Sequence, residues 1–276
     1  MSITCNLKGG IGNQLFQIAT TYSLARRYDL SWCIQDGQFE GAGQGKHPST
    51  YYTTIYQKVV RSNIDTPIII HERQWTFYDV GPDIKAHLDT GHAIMLDGYF
   101  QSAQHFYGYD NEVKELFTPL EGIRNWLKQH TDTYSSYPEL FEDHDACFIG
   151  VRRGDYIEKD YFHNPCDYSY YEMAIAKFPP EQRFYIASDD IAWCKQHFQG
   201  TQFTFFNIQD DLIQLYLATL FKNYIIANSS FHWWASFLSV YETPCIYAPD
   251  KWLFGWDAKW DQYSTIYRDS MIVLER

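Results

Sequence analysis

Cys147-Phe148-Ile149-Gly150-Val151-Arg152-Arg153-Gly154-Asp155-Tyr156 sets an apolar run directly against two adjacent guanidiniums. An apolar run of this length that opens into a charged loop reads as a strand buried on both faces, the kind found inside parallel sheets. Successive side chains on a strand point to opposite faces, so the two arginines do not form one flat patch. One of them faces a ligand and the other braces the loop. Arginine presents a fixed fork of donors that matches phosphate and keeps its charge, which suits it to holding a diphosphate. Taken alone, the motif is equally well described as a surface ion pair with Asp155 or Glu158.

Two further segments of the second half end in the same way. Phe184-Tyr185-Ile186-Ala187 runs into Ser188-Asp189-Asp190, and Tyr224-Ile225-Ile226-Ala227 runs into Asn228-Ser229-Ser230. Helical segments are expected between them, around Ser169–Lys177, Ile191–Gln199 and Asp211–Lys222. Regular alternation of strand, polar loop and helix predicts a parallel sheet covered on both faces. The carboxyl ends of such strands share one rim, so the three polar clusters should meet there. Ser229 and Ser230 can cap a helix beginning near Phe231, whose free N–H groups also favour a phosphate. Asp189-Asp190 can bind a metal, cap the next helix, or accept hydrogen bonds from a ribose or base.

The first half opens with an alternating strand, Ile3–Leu7, then the glycine loop Lys8-Gly9-Gly10-Ile11-Gly12-Asn13-Gln14, then Leu15, Ile18, Tyr22 and Ala25 at helical spacing. The loop lacks the third glycine of a dinucleotide fingerprint. Ile68-Ile69-Ile70 and Ala93-Ile94-Met95-Leu96 read as short buried strands, the second running into Asp97-Gly98-Tyr99-Phe100-Gln101-Ser102. Residues 37–54, rich in Gly, Ser, Thr and Tyr, read as an exposed loop on which a sugar acceptor could rest, and 156–168 as a second acceptor-reading loop. A helix begins around Ile123-Trp126-Leu127, and its periodicity is lost through Thr131–Pro138. The expected division is 1–143, an N-terminal α/β domain with the glycine loop on the acceptor side, and 144–276, a C-terminal Rossmann-like nucleotide-sugar domain.

With 276 residues, 45% of them hydrophobic, the chain can bury a large core in one or two domains. Its 34 acidic against 22 basic residues give a net charge of −12, which as a whole repels nucleic acid and anionic membrane. A basic pocket therefore stands out. No 18-residue apolar run and no signal-peptide pattern occur, so a soluble, cytoplasmic protein without a transmembrane segment is expected. The six cysteines lie far apart without CxxC pairs, which argues for small buried hydrophobes rather than a disulfide framework or metal cluster.

Four stretches in register, Gly9–Ala19, Arg152–Tyr156, Tyr185–Asp190 and Ile225–Trp234, together resemble the α-1,2-fucosyltransferase family, glycosyltransferase family 11. The resemblance runs from about Ile3 to Leu238, and Asp97–Ser102 is similar to a shorter family element. It implies a GT-B-like fold with two Rossmann-type domains facing across a cleft. The implied reaction moves L-fucose from GDP-β-L-fucose to a galactoside hydroxyl, in α-1,2 linkage and with inversion. GDP-fucose would be the donor substrate, an oligosaccharide the acceptor, and no metal obligatory.

By the same resemblance Arg152 lies on the β-phosphate and Arg153 on the loop or acceptor side. Ser188, Asn228, Ser229 and Ser230 belong to the donor site, and Asp189 or Asp190 to the guanine or ribose. Gly10, Gly12, Asn13 and Gln14 form the loop that approaches the donor. For general base, Asp155, Glu158 and Asp160 are candidates, Asp155 first; its other role is to tie the loop to Arg153. One position departs from the pattern. Family members carry His two residues before the first arginine, where this chain has Gly150, which would open space and remove a hydrogen-bond donor. Another nucleotide-linked sugar is the alternative donor.

Two other readings compete. Asp143-His144-Asp145 has the DxD form of metal-dependent glycosyltransferases, yet precedes its strand and so lies at the wrong end of the sheet. A non-catalytic carbohydrate-binding protein would use its nine Trp and 23 Tyr as sugar platforms, although aromatics at these positions are more often core.

Overall fold

A computed structural model describes residues 1–40, 45–74, 76–141, 145–158, 160–252 and 265–276. The chain forms two compact units. The first is Met1–Leu120 with a short return near Thr265, and the second comprises most of the remainder from Glu121.

The first unit is built on β1 (Ser2–Lys8), β2 (Ser31–Glu40), β3 (Arg61–Ser62), β4 (Ile68–His71) and β5 (Ile94–Asp97). All its strand pairs are parallel, in the order β3-β2-β1-β5-β4. The helix Ile11–Tyr28 follows β1 through the glycine loop and buries Leu15, Phe16, Ile18 and Ala19. The stretch 37–54, described except for 41–44, is exposed at Gly45, His47, Ser49, Thr50 and Thr53 as expected but is not a loop throughout. Its start continues β2 beside β1, and Pro48–Tyr51 is a 3₁₀ turn with Pro48 and Tyr51 buried. Tyr51 packs edge-on against the buried Tyr56, 5.4 Å between ring centres, which draws the turn inward.

The second unit is built on β6 (Cys147–Val151), β7 (Phe184–Ser188), β8 (Phe203–Phe205), β9 (Asn223–Ile225), β10 (Cys245–Pro249) and β11 (Met271–Leu274). Its order is β11-β10-β9-β6-β7-β8, again parallel throughout. Counted within the unit this is the doubly wound order 3-2-1-4-5-6, and the order reverses between β6 and β9. Every residue of β6 is buried, as a central parallel strand requires. The expected helices stand at Tyr168–Ile175, Ile191–His197 and Asp211–Ala218. Two Rossmann-type parallel-sheet units are the fold class the sequence implied. The expected loop 156–168 contains instead the short helices Gly154–Glu158 and Asp160–His163.

The division between units falls after Leu120 rather than after residue 143. The reason is packing: Trp126 of the Ile123–His130 helix meets Tyr216 of the Asp211–Ala218 helix edge to face at 5.1 Å. That contact commits the helix to the second core. Five cysteines are buried and Cys245 is half-buried, all as free thiols. Among the described residues no helix is long and apolar enough to cross a membrane.

His105, between Phe77 and Phe100, is buried in the first unit. Burial, helped by Arg27, pushes its pKa from the usual 6.5 down to about 3. Between pH 3 and 6.5 the folded protein therefore holds this imidazole neutral, while the unfolded chain binds a proton. Its stabilising share is present above pH 6.5 and is lost as pH falls toward 3. Urea titrations should show His105→Phe removing about 2 kcal/mol of the stability difference between pH 7 and about pH 5.

Candidate functional site

In a doubly wound sheet the ligand crevice lies outside the carboxyl ends of the strands where the order reverses, here the ends of β6 and β9. The arginine loop leaves β6 there, and Asn228-Ser229-Ser230 leaves β9. Hydrogen bonds join them: the Ala227 N–H donates to the Gly150 carbonyl at 3.1 Å, and the Tyr156 hydroxyl donates to the Asn228 carbonyl at 3.2 Å.

The two arginines divide as the strand geometry demands. Arg153 is 17% exposed and held: its Nε donates to Asp190 at 3.3 Å and its guanidinium lies 4.0 Å over the Trp193 ring. Arg152 is 33% exposed and straddles two carboxylates through two different nitrogens, Asp155 at 2.6 Å and Asp189 at 3.1 Å. Its guanidinium also lies over Tyr156, 5.2 Å from the ring centre, and Tyr156 in turn stacks on His163 at 3.9 Å. Arg152 is thus the more exposed of the two, held between two carboxylates, and Arg153 the one braced against Asp190 and Trp193.

The carboxylates of the rim serve these arginines. Asp189 accepts the Arg153 backbone N–H at 2.8 Å with its second oxygen on Arg152. Asp190 caps the Ile191–His197 helix by accepting the Trp193 N–H at 3.1 Å. Both expected guanine or ribose ligands are therefore engaged in shaping the loop. Asp155 ties to Arg152 and not to Arg153, because Arg153 turns toward Asp190 and Trp193. Ser188 accepts the Asp190 N–H at 2.9 Å and closes the turn.

Around β9 the serines and the asparagine separate. Asn228 is fully buried; its amide donates to the carbonyls of His163 and Trp252 and its oxygen accepts from the Cys166 thiol. It is a strut under the rim. Ser229 occupies the N-cap position of the Ser230–Phe237 helix but makes no capping hydrogen bond. The hydroxyl cap expected there is absent, which leaves first-turn N–H groups, at the positive end of the helix dipole, without the Ser229 oxygen.

Sequence reasoning also missed His232. A Cβ placed on Gly150 would lie 2.5 Å from its ring, so the space expected beside Gly150 is filled. The buried His232 Nδ1 has no hydrogen-bond partner. A glycine in an otherwise bulky apolar run was the available signal that something large leans on the strand.

In the first unit the glycine loop is built by Gly9 at φ +73°, where a Cβ would also meet the Asn13 side chain at 2.5 Å. Gly10 has open space on its Cβ side and forms the N-cap of the following helix, in which Gly12 is buried. Asn13 accepts from the Gln101 amide at 2.8 Å, linking the loop to the segment after β5. Gln14 is buried, donating to the carbonyls of Gly9 and Lys46 and accepting from Tyr56, so it supports the loop from below. Residues 143 and 144 of the DxD stretch lie outside the described residues. Asp145 is exposed at the amino end of β6, the end opposite the rim, with its carbonyl accepting from Gln182 and Asn223. Among the described residues no group of three or more His, Cys, Asp or Glu is placed to hold a metal.

The described chain is thus two Rossmann-type units, the second with an arginine loop and a helix start without a side-chain cap at its crossover. The chain belongs to glycosyl transferase family 11, whose model matches residues 73–255. An O-antigen biosynthesis glycosyltransferase of Escherichia coli, WbnK, is 25% identical over 90% of this chain and 94% of its own length. An α-1,2-colitosyltransferase of Escherichia coli is 28% identical over 91% of this chain and 92% of its own. A mouse galactoside 2-α-L-fucosyltransferase, Sec1, is 24% identical over 70% of this chain and 51% of its own.

Proposed function

We propose that the protein transfers L-fucose from GDP-β-L-fucose to a galactoside hydroxyl, forming an α-1,2 linkage with inversion, in glycan biosynthesis in the cytoplasm. The observation that carries this reading is Arg152, presented at the crossover between β6 and β9 with both flanking carboxylates on its guanidinium. As GDP departs, charge accumulates on the β-phosphate, and a fixed cation aimed there stabilises the transition state. The N–H groups at the start of the Ser230–Phe237 helix add donors, so fixed cations and dipoles take the part a metal would play. The 2-α and α-1,2 linkages named for the mouse and colitosyl relatives favour transfer to a 2-hydroxyl.

A second reading is another nucleotide-linked sugar as donor, favoured by the colitosyl relative. Thermal shift with GDP, UDP and dTDP and their sugars separates the nucleotides, because a ligand that binds only the native state at 100 times its Kd adds about 2.7 kcal/mol of stability. The expected result is a response to GDP and GDP-fucose alone, then α-1,2-fucosylated product from a galactoside panel, with EDTA leaving the rate unchanged. Loss of activity in EDTA with recovery in Mn²⁺ refutes the metal-free part. Binding without transfer or donor hydrolysis refutes the enzyme reading.

A further inference from the structure

We propose that His232 is a ligand of the donor diphosphate, its imidazole delivered from the Ser230–Phe237 helix into the place beside Arg152 that a side chain at position 150 would occupy. The inference rests on the reading of Arg152 as the phosphate arginine. Alternate residues of a strand share a face, so Phe148 and Gly150 form one column on β6, opposite the Cys147, Ile149 and Val151 that enter the core cluster, and Arg152 is the next alternate position, one residue past the strand's end. His232 lies on that column. A Cβ at Gly150 would stand 2.5 Å from its Cγ and 2.6 Å from its Cδ2 and Nδ1, and the Phe148 ring is 6.0 Å away on the core side. The next position along the column is the ligand-facing arginine.

His232 is 4% exposed, and its buried Nδ1 lacks a partner. An orphaned buried polar atom is destabilising, and an apolar ring of similar size would avoid that cost. That cost at the ligand crevice is accounted for if the partner arrives with the ligand. Burial, with Arg152 adding to it, pushes the imidazole pKa down to about 3. At neutral pH the ring therefore carries one N–H donor and one acceptor, and a diphosphate seated on Arg152 supplies acceptor oxygens next to it.

Calorimetric titration of the wild type and His232→Phe with GDP and with GMP tests this. The expected result is a loss of GDP affinity of about tenfold or more in His232→Phe, with GMP affinity little changed. The unliganded melting temperature should be equal or higher, because the orphan is gone. The double variant Gly150→His with His232→Ala, which returns an imidazole from the strand side, should regain most of the GDP affinity. Should the phenylalanine variant not fold, His232→Ala reads the same GDP-against-GMP comparison. GDP affinity like wild type in the single variant, or equal losses with GDP and GMP, overturns the assignment. Wild-type binding of UDP in place of GDP refutes the guanine reading alone, and the comparison is then made on UDP and UMP; no wild-type response to either nucleotide overturns both.

Discussion

Replacing Arg152 by lysine is expected to lower transfer by about 10²–10³-fold, the usual cost of losing one well-aimed donor to developing charge, while the melting temperature stays close to wild type. The geometry explains why charge alone will not serve. Arg152 reaches Asp155 and Asp189 through two separate guanidinium nitrogens, at 2.6 and 3.1 Å, which fixes the plane of the fork over Tyr156. A lysine ammonium is a single point at the end of a flexible stem and cannot hold both carboxylates while still facing a phosphate. The side chain is one-third exposed and bears no part of the core, so its loss should leave folding intact. Single-turnover rates with GDP-fucose, beside the unfolding curve of the same preparation, separate the two effects. Near-normal turnover would remove Arg152 from the transition state.

Much of this arrangement was legible in the sequence because parallel strands buried on both faces leave unbroken apolar runs. Cys147–Val151 and Phe184–Ala187 are such runs, and each ends where its polar cluster begins. The period-two rule alone separated Arg152 from Arg153. The edge strand β4 was legible from Ile68–Ile70, although Ile69 is exposed rather than buried, but β2 and β11 were not. β2 carries Gln35, Asp36, Gly37, Gln38 and Glu40 among its apolar residues, and β11 leaves Ile272 and Val273 exposed, so neither presents the buried pattern. The roles of polar side chains were the least legible, since they depend on neighbours distant in the chain. Asp189 and Asp190 meet arginines 36 and 37 positions away, and Asn228 satisfies carbonyls 65 and 24 positions away. No local pattern distinguishes such struts from ligand groups. The same holds for His232 and Gly150, which are matched only through the fold.

Asp189→Ala should reduce kcat/KM by about 10–100-fold with only a small change in stability, whereas Asp190→Ala should do the reverse. Asp189 grips the loop twice, once through the Arg153 backbone N–H and once through the Arg152 guanidinium. Gly154 passes so close that a Cβ there would lie 2.8 Å from the Asp189 carboxylate. Removing that carboxylate frees the loop and leaves Arg152 with Asp155 alone, so the fork loses its alignment before the phosphate arrives; misplacement by about 1 Å can cost 10²-fold. Asp190 instead caps the Ile191–His197 helix and braces Arg153, and losing a cap costs about 0.5–2 kcal/mol of stability. Asp189→Asn divides the two grips of Asp189, because an amide oxygen still accepts the Arg153 N–H but no longer pairs with the Arg152 charge. Activity in the asparagine variant should fall between wild type and alanine. Equal activities for asparagine and alanine would place the whole effect on the Arg152 pair, and wild-type activity in asparagine would place it on the backbone hydrogen bond.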